Sequence, residues 1–409
     1  MSVLGLVVEY NPLHNGHVYH IKKSMEMTKA DFIVAVMSGN FVQRGIPSII
    51  DKWSRTEAAL LSGIDLVIEL PTIYAVSTAE KFAYGAIKLL DSLHIVDYIS
   101  FGSEHGSIDE LYQISKLLLD EPEDYKALLK NYLKSGITYA KAREAALSKY
   151  FGITINNIIG NPNNILGIEY IKSLIKLNSN IKPLTLKRFG PGYNSLETVE
   201  SFASATYLRE VINDKNYSVL EKYMPQYSLE ILKKCIAEGH GPVTLDDFAK
   251  IVVYRLRNDA SVKDVFDVTE GLENRIKKAS SIYNNLSDII GYIKTKRYTE
   301  SRIRRIMMHV LLDIDSSIYS KFDGPNYIRI LGTTKKGLEL LKEIKDRSNM
   351  PIITKVSEYK KILSNAEMFE IDLKATDIYT LAYTNEPVLG LDFTKKFIVE
   401  EIAQLSFNF

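Results

Sequence analysis

The chain has 409 residues, 46% of them apolar and 25% charged, with 51 basic residues against 50 acidic ones. That length suits two or three domains with sizeable cores, and the charged fraction excludes a disordered or low-complexity polypeptide. A formal charge of +1 excludes a uniformly basic nucleic-acid coat, yet leaves room for a local basic face. Cys235 is the single cysteine, which excludes an internal disulfide, a Cys-based zinc site and a CxxC redox pair. It reads as a structural thiol. The chain opens directly on an apolar run, and no stretch reaches the ~18 apolar residues of a membrane helix. A cytoplasmic protein with no membrane partner is expected.

Taken in chain order, four runs read as strands: Val3–Val8, Phe32–Met37, Leu66–Leu70 and Val96–Phe101. Segments with helical spacing, such as Asp51–Ser62 and Thr78–Leu90, lie between them. Strands apolar throughout, alternating with helices, predict an α/β fold with a parallel sheet covered on both faces. The breaks after the runs are Asn11-Pro12 with Asn15-Gly16, Ser38-Gly39-Asn40, Pro71, and Gly102-Ser103. All fall at the carboxyl edge, where such sheets bind ligands. Residues 123–177 read as helices broken at Gly152 and 160–164, Pro183–Phe189 as a strand returning to the sheet, and Ser204–Val211 as a helix start. Residues 215–320 read as helical, and Tyr327–Leu331, Lys335–Arg347 and Pro351–Lys355 as strand, helix, strand. Three units are therefore expected: a parallel-sheet α/β domain over 1–215, a helical, partly basic region over 216–325, and a small α/β unit over 326–409.

The stretch that carries chemistry runs from Glu9 to His20, between the first strand and the helix it opens. Gly16, lacking a Cβ, lets backbone approach a phosphate, and a helix N-terminus offers unpaired N–H groups to an anion. His14 and His17, three apart, reach the same phosphates as the loop turns into the helix, with Lys22 or Lys23 one turn on. A histidine metal pair or an inert loop are the competing readings, but no carboxylate cluster lies nearby and no metal site is expected. His94, His105, His240 and His309 read as surface or satisfied core residues. Ser204, Thr206 and Arg209 form a second element: short hydroxyls at a helix start cap N–H groups or meet phosphate oxygens, and an arginine a turn later holds phosphate.

His14-Asn15-Gly16-His17 resembles the HxGH motif of the nucleotidylyltransferase superfamily. Ser204-Ala205-Thr206-Tyr207-Leu208-Arg209 resembles its (S/T)-S-T-x-x-R element, with Ala205 in place of the middle serine. The blocks Met37–Gly45, Asp51–Arg55, Asp65–Pro71 and Pro162–Tyr170 are similar to one family, the bacterial tRNA(Met) cytidine acetate ligases, and the likeness covers essentially the whole chain. Small-metabolite adenylyltransferases usually carry glycine three residues before Asn-Pro, where this chain has Val8. The resemblance implies a Rossmann-like nucleotidylyltransferase domain, and activation of acetate by ATP to acetyl-adenylate. The acetyl group then passes to N4 of the wobble cytidine of elongator tRNA(Met). By the same resemblance ATP lies against Val7, Val8, Glu9, Tyr10, Asn11, Pro12, Leu13, His14, Asn15, Gly16, His17, Val18, Tyr19 and His20, with Gly102, Asn163 and Arg188. Mg2+ accompanies the triphosphate, and His14, His17 and Arg209 act on the departing pyrophosphate. The alternative is an adenylyltransferase for a free small metabolite, which has no need of the C-terminal half.

Three further expectations concern the second step. Asp51, at a predicted helix start, is either the proton acceptor for the cytidine amine or a plain N-cap. Gly39 or Asn40 is expected beside the acetate. The stretch 294–305 holds six basic residues and one acidic. Lys294, Lys296, Arg297, Arg302, Arg304 and Arg305, with Tyr298 as a stacking surface, are the expected tRNA contacts; a solvated helix face is the default for any such run. Lys335-Lys336 offers a further basic pair.

Overall fold

The computed structural model describes residues 1–401 except 138, 153–157, 189–201 and 259. Among the described residues ten strands form: β1 (Val3–Val8), β2 (Phe32–Ser38), β3 (Phe41–Val42), β4 (Ile46–Pro47), β5 (Leu66–Leu70), β6 (Tyr98–Ser103), β7 (Lys182–Lys187), β8 (Ile328–Thr334), β9 (Ile352–Ile353) and β10 (Ile398–Glu400). The strand expected over 183–189 is β7; Phe189 lies outside the described residues. All but the β3–β4 hairpin join one sheet in the order β10-β8-β5-β2-β1-β6-β7, with β9 also on β8. The five strands from β5 to β7 run parallel. Their order reverses at β1, which opens a crevice beyond its carboxyl end.

Alternation along the strands supplies the two cores. Phe32, Val34 and Val36 of β2 enter one apolar cluster, and Ile33, Ala35 and Met37 enter the other, as in a strand buried on both faces. On the second face lie α1 (Asn15–Thr28) and α2 (Lys52–Leu61). The first face is covered by α3 (Thr72–Ala75), α4 (Ala79–Ser92), α5 (Ile108–Asp120), α6 (Glu123–Lys134), α7 (Tyr139–Phe151) and α8 (Pro162–Lys176). The chain then returns to the second face in α9 (Ala205–Asn213). Thr78, Ser107 and Ser204 cap α4, α5 and α9 through their hydroxyls, each meeting an N–H that has no partner within the helix. Helices then follow from Tyr217 to Lys321, as the sequence suggests.

The expected separate unit over 326–409 does not stand apart. β8 lies antiparallel beside β5, with Leu66 opposite Thr333 and Glu69 opposite Arg329, and β10 runs parallel beyond it. The physical reason is the edge of β5, a strand buried on both faces whose open side would otherwise present unpaired backbone groups. Buried charges reinforce the join. Lys52 Nζ lies 2.8 Å from Glu69 and 3.0 Å from Asp392, and Arg329 Nε lies 3.2 Å from Glu69 and also pairs with Asp392. Nearby, Asp372 accepts the Thr72 N–H at 2.7 Å and the Tyr327 hydroxyl. The neighbouring helix Glu367–Thr380 thus ties C-terminal chain to the first half of the sheet.

Candidate active site

The crevice at the end of β1 is a cavity of about 240 Å³. Its floor is Val7–Glu9, its near wall the turn into α1, its far wall Ser100–Gly102 and Leu186–Arg188, and its rim residues 202–206 and the β3–β4 turn. Of the expected ATP residues, Val7, Val8, Glu9, Tyr10, Asn11, His14, Gly16, His17, Tyr19 and His20 line it, as do Gly102, Asn163, Arg188, Ser204, Thr206 and Arg209. Pro12, Leu13, Asn15 and Val18 do not. Leu13 and Val18 enter the core, and the Asn15 side chain donates to the Lys222 carbonyl at 3.1 Å. These residues shape the turn rather than face the cavity.

The two histidines are fixed by the start of α1. His14 caps the helix, its Nδ1 accepting the Gly16 N–H at 3.1 Å, while His17 Nδ1 accepts the His14 N–H at 3.3 Å. The rings stack with centroids 3.7 Å apart. Burial, then Arg188 and Arg209, pushes His14 down to about 3. Burial, then His14 and Arg188, holds His17 well below its ordinary value, and His20 falls to about 4 for similar reasons. With Nδ1 occupied as an acceptor, each neutral ring of the pair carries its proton on Nε2. The pair therefore supplies hydrogen-bond donors, while positive charge comes from Arg44, Lys187, Arg188 and Arg209 around them. The second motif is tied to the first: Arg209 donates to the Asn11 carbonyl at 2.8 Å and to Thr206 Oγ1 at 3.1 Å.

The structure places several expected residues elsewhere. Asp51 does not line the cavity; it is the N-cap of α2, its carboxylate accepting from the N–H groups of Trp53 and Ser54 at 2.9 Å each and from the Ser54 hydroxyl at 3.1 Å. Asn40 is buried, holding the Lys52 N–H at 2.8 Å, and a Cβ on Gly39 would stand 2.6 Å from Glu69; neither lines the cavity. In the basic stretch, Arg305 is 8% exposed and pairs with Asp267 at 3.4 Å, as Arg302 does at 3.2 Å. These two arginines fasten the loop before the helix Leu272–Ile282, Arg305 buried and Arg302 partly so. Lys294 and Arg304 both meet Glu300, and Arg297 meets Glu270, at the surface; Lys296 is exposed. The backbone at Arg304 and Arg305 packs against the β3–β4 turn that lines the crevice. Gly45, at φ +72° in the β3–β4 turn, packs so closely that a Cβ would meet the Arg305 nitrogen at 2.2 Å.

Gln43, Arg44, Tyr170 and Phe202 line the cavity without a role expected from sequence, although the first three fall in blocks quoted for their family likeness; Lys187, which with Arg188 forms a basic pair at a strand end suited to ATP or the tRNA backbone, lines it too. A residue that reaches a site from a hairpin turn or a strand end has no periodic signature. Cys235 is as expected: buried, its thiol pushed up to about 11 by desolvation and bonded to Ser54 Oγ at 3.1 Å. His309 is a buried core residue whose Nε2 lies 2.6 Å from the Val76 carbonyl, while its Nδ1 has no hydrogen-bond partner among the described residues. No helix among the described residues is long and apolar enough to cross a membrane.

Comparison with known proteins places this geometry. The profile of the family described as HIGH Nucleotidyl Transferase matches residues 1–389. The tRNA(Met) cytidine acetate ligase of Thermoanaerobacter sp. (strain X514) is 58% identical over 96% of this chain and 98% of its own length. The protein of that name from Clostridium tetani is 46% identical over 97% of this chain and 99% of its own. The crystal structure of Thermotoga maritima TmcAL bound with alpha-thio ATP superposes with a TM-score of 0.92 at 36% identity, covering 98% of this chain and 100% of that one. Its apo form gives 0.94.

Proposed function

The chain belongs to the HIGH nucleotidyl transferase family, among the tRNA(Met) cytidine acetate ligases, and from that membership we propose the following reaction at this cavity. ATP lies along β1 with its phosphates at the start of α1, and an acetate oxygen attacks the α-phosphorus. Pyrophosphate leaves against the Nε2–H donors of His14 and His17 and the guanidinium groups of Arg188 and Arg209, where preformed donors act most strongly. The acetyl-adenylate then meets N4 of the wobble cytidine of elongator tRNA(Met), giving N4-acetylcytidine and AMP. The amine is a weak nucleophile, so placement supplies much of the rate.

One observation carries the reading. Arg209 bridges Thr206 and Asn11, so two motifs almost two hundred residues apart close on one cavity. Mg2+ bound together with the nucleotide would offset triphosphate charge, in addition to Arg188 and Arg209 lining the cavity. The RNA contacts we propose are Lys294, Lys296, Arg297 and Arg304, supported by their surface position and by the packing of Arg305 on the cavity's hairpin. The free-metabolite reading loses ground because the family match runs on through the C-terminal half.

The test is incubation with ATP and labelled acetate, with and without elongator tRNA(Met). Acetyl-AMP forms without RNA, and label enters the RNA at its wobble cytidine. Acetyl-AMP without transfer to any tRNA points to a free-metabolite enzyme, and no acetyl-AMP at all overturns the assignment.

A further inference from the structure

Resting on that reaction, we propose that Glu9 is the catalytic base that takes the proton from the cytidine amine as it attacks the acetyl-adenylate. Glu9 is the one carboxylate among the described residues lining the cavity, which otherwise gathers His14, His17, Arg44, Arg188 and Arg209. A site built to hold a triphosphate and acetate gains nothing from an extra negative charge, since both ligands are anions it repels. That charge is useful where a proton must leave. Its geometry leaves it available: Oε1 accepts the Gln43 N–H at 2.8 Å, and no hydrogen bond or ion pair to Oε2 occurs among the described residues.

The other candidates are committed elsewhere. Asp51 caps α2 with both oxygens engaged. The Nδ1 atoms of His14 and His17 are occupied by backbone N–H groups, so their cavity-side nitrogens already carry protons. His20 is too weak a base, at about 4, to hold a proton near neutrality. Burial raises Glu9 above the ordinary carboxylate range, which moves it toward the working pH of a general base. In the step, the N4 nitrogen forms a bond to the acetyl carbon and the carbon–oxygen bond to the phosphate breaks. AMP departs with that electron pair, and one N4 proton moves to the Glu9 carboxylate, to be released to solvent.

The experiment supplies preformed acetyl-AMP to the full-length protein with elongator tRNA(Met), omitting magnesium because no triphosphate is present. Single-turnover transfer is followed across pH 5–9 for the wild type and Glu9→Gln. Glutamine keeps the oxygen that accepts the Gln43 N–H, and thermal melting confirms the fold. The wild-type rate rises with pH as Glu9 loses its proton. Glu9→Gln transfers about 100-fold or more slowly, without that rise, and Glu9→Asp recovers the pH-dependent limb. A Glu9→Gln rate equal to wild type, or a slower one that keeps the wild-type pH limb, overturns the proposal. If wild type itself acetylates no tRNA, the ligase reading fails instead.

Discussion

At the scale of single residues, the structure turns a familiar motif into a statement about protons. The spacing of His14, Gly16 and His17 was readable because it lies within four consecutive residues. Their protonation was not, because it depends on burial and on arginines far away in sequence. A histidine that stays neutral in the fold but charges at 6.5 when exposed makes the unfolded chain bind more protons below that pH. Stability therefore falls as pH drops from about 6.5 toward 4, by up to about 1.4 kcal/mol per pH unit for each such histidine. His20, at about 4, offers the cleanest measurement. Urea midpoints at pH 7.5 and 5 should fall farther apart in the wild type than in His20→Gln; equal differences would show that His20 does not carry this effect. Asp51 illustrates the opposite lesson. Its position before Lys52-Trp53 fitted a cap and a base equally well, and only the three donors around it decide for the cap.

At the scale of elements, the basic stretch shows what charge counting hides. Arg302 and Arg305 look from sequence like the heart of an RNA face, but helical spacing also turns them toward Asp267. The acid that neutralises them lies in a loop more than thirty residues earlier, out of reach of any local reading. The stretch should thus divide under mutation. Replacing Lys294, Lys296 and Arg297 with alanine is expected to weaken tRNA binding with little change in melting temperature. Its salt dependence should also become shallower, by roughly one unit of log–log slope for each RNA phosphate that no longer meets a cation. Replacing Arg302 and Arg305 is expected to lower the melting temperature, since removing one member of a buried pair strands the other. Filter binding at several salt concentrations, alongside thermal melts, checks both; unchanged tRNA affinity in the first variant would discard that surface. β8 escaped recognition as part of the main sheet for a related reason. Its pattern announces a strand, whereas its partner β5 is set by long-range pairing and by the Arg329–Glu69 contact.

At the scale of the whole molecule, C-terminal strands complete the sheet of the catalytic half. The parallel sheet and the crevice at β1 were legible because each strand and each loop break carries a local signal. The closing of that sheet by C-terminal chain was not, because alternation says which faces are buried and never which strands are neighbours. A chain ending at residue 325 loses β8, β10 and both Arg329 and Asp392, leaving Lys52 and Glu69 with a broken network. We expect that fragment to aggregate or to lack a cooperative thermal transition, while the full chain melts in one step; a soluble fragment with its own sharp transition would contradict the shared core.

The same join sets a timetable for synthesis. About 260 residues separate β5 from β8, so at ~5–20 residues per second the ribosome needs on the order of 10–50 s to deliver the strand that covers β5. Throughout that interval the nascent chain carries the nucleotide loop already made beside a bare strand edge, and whatever shields that edge in the cell governs the yield of working enzyme.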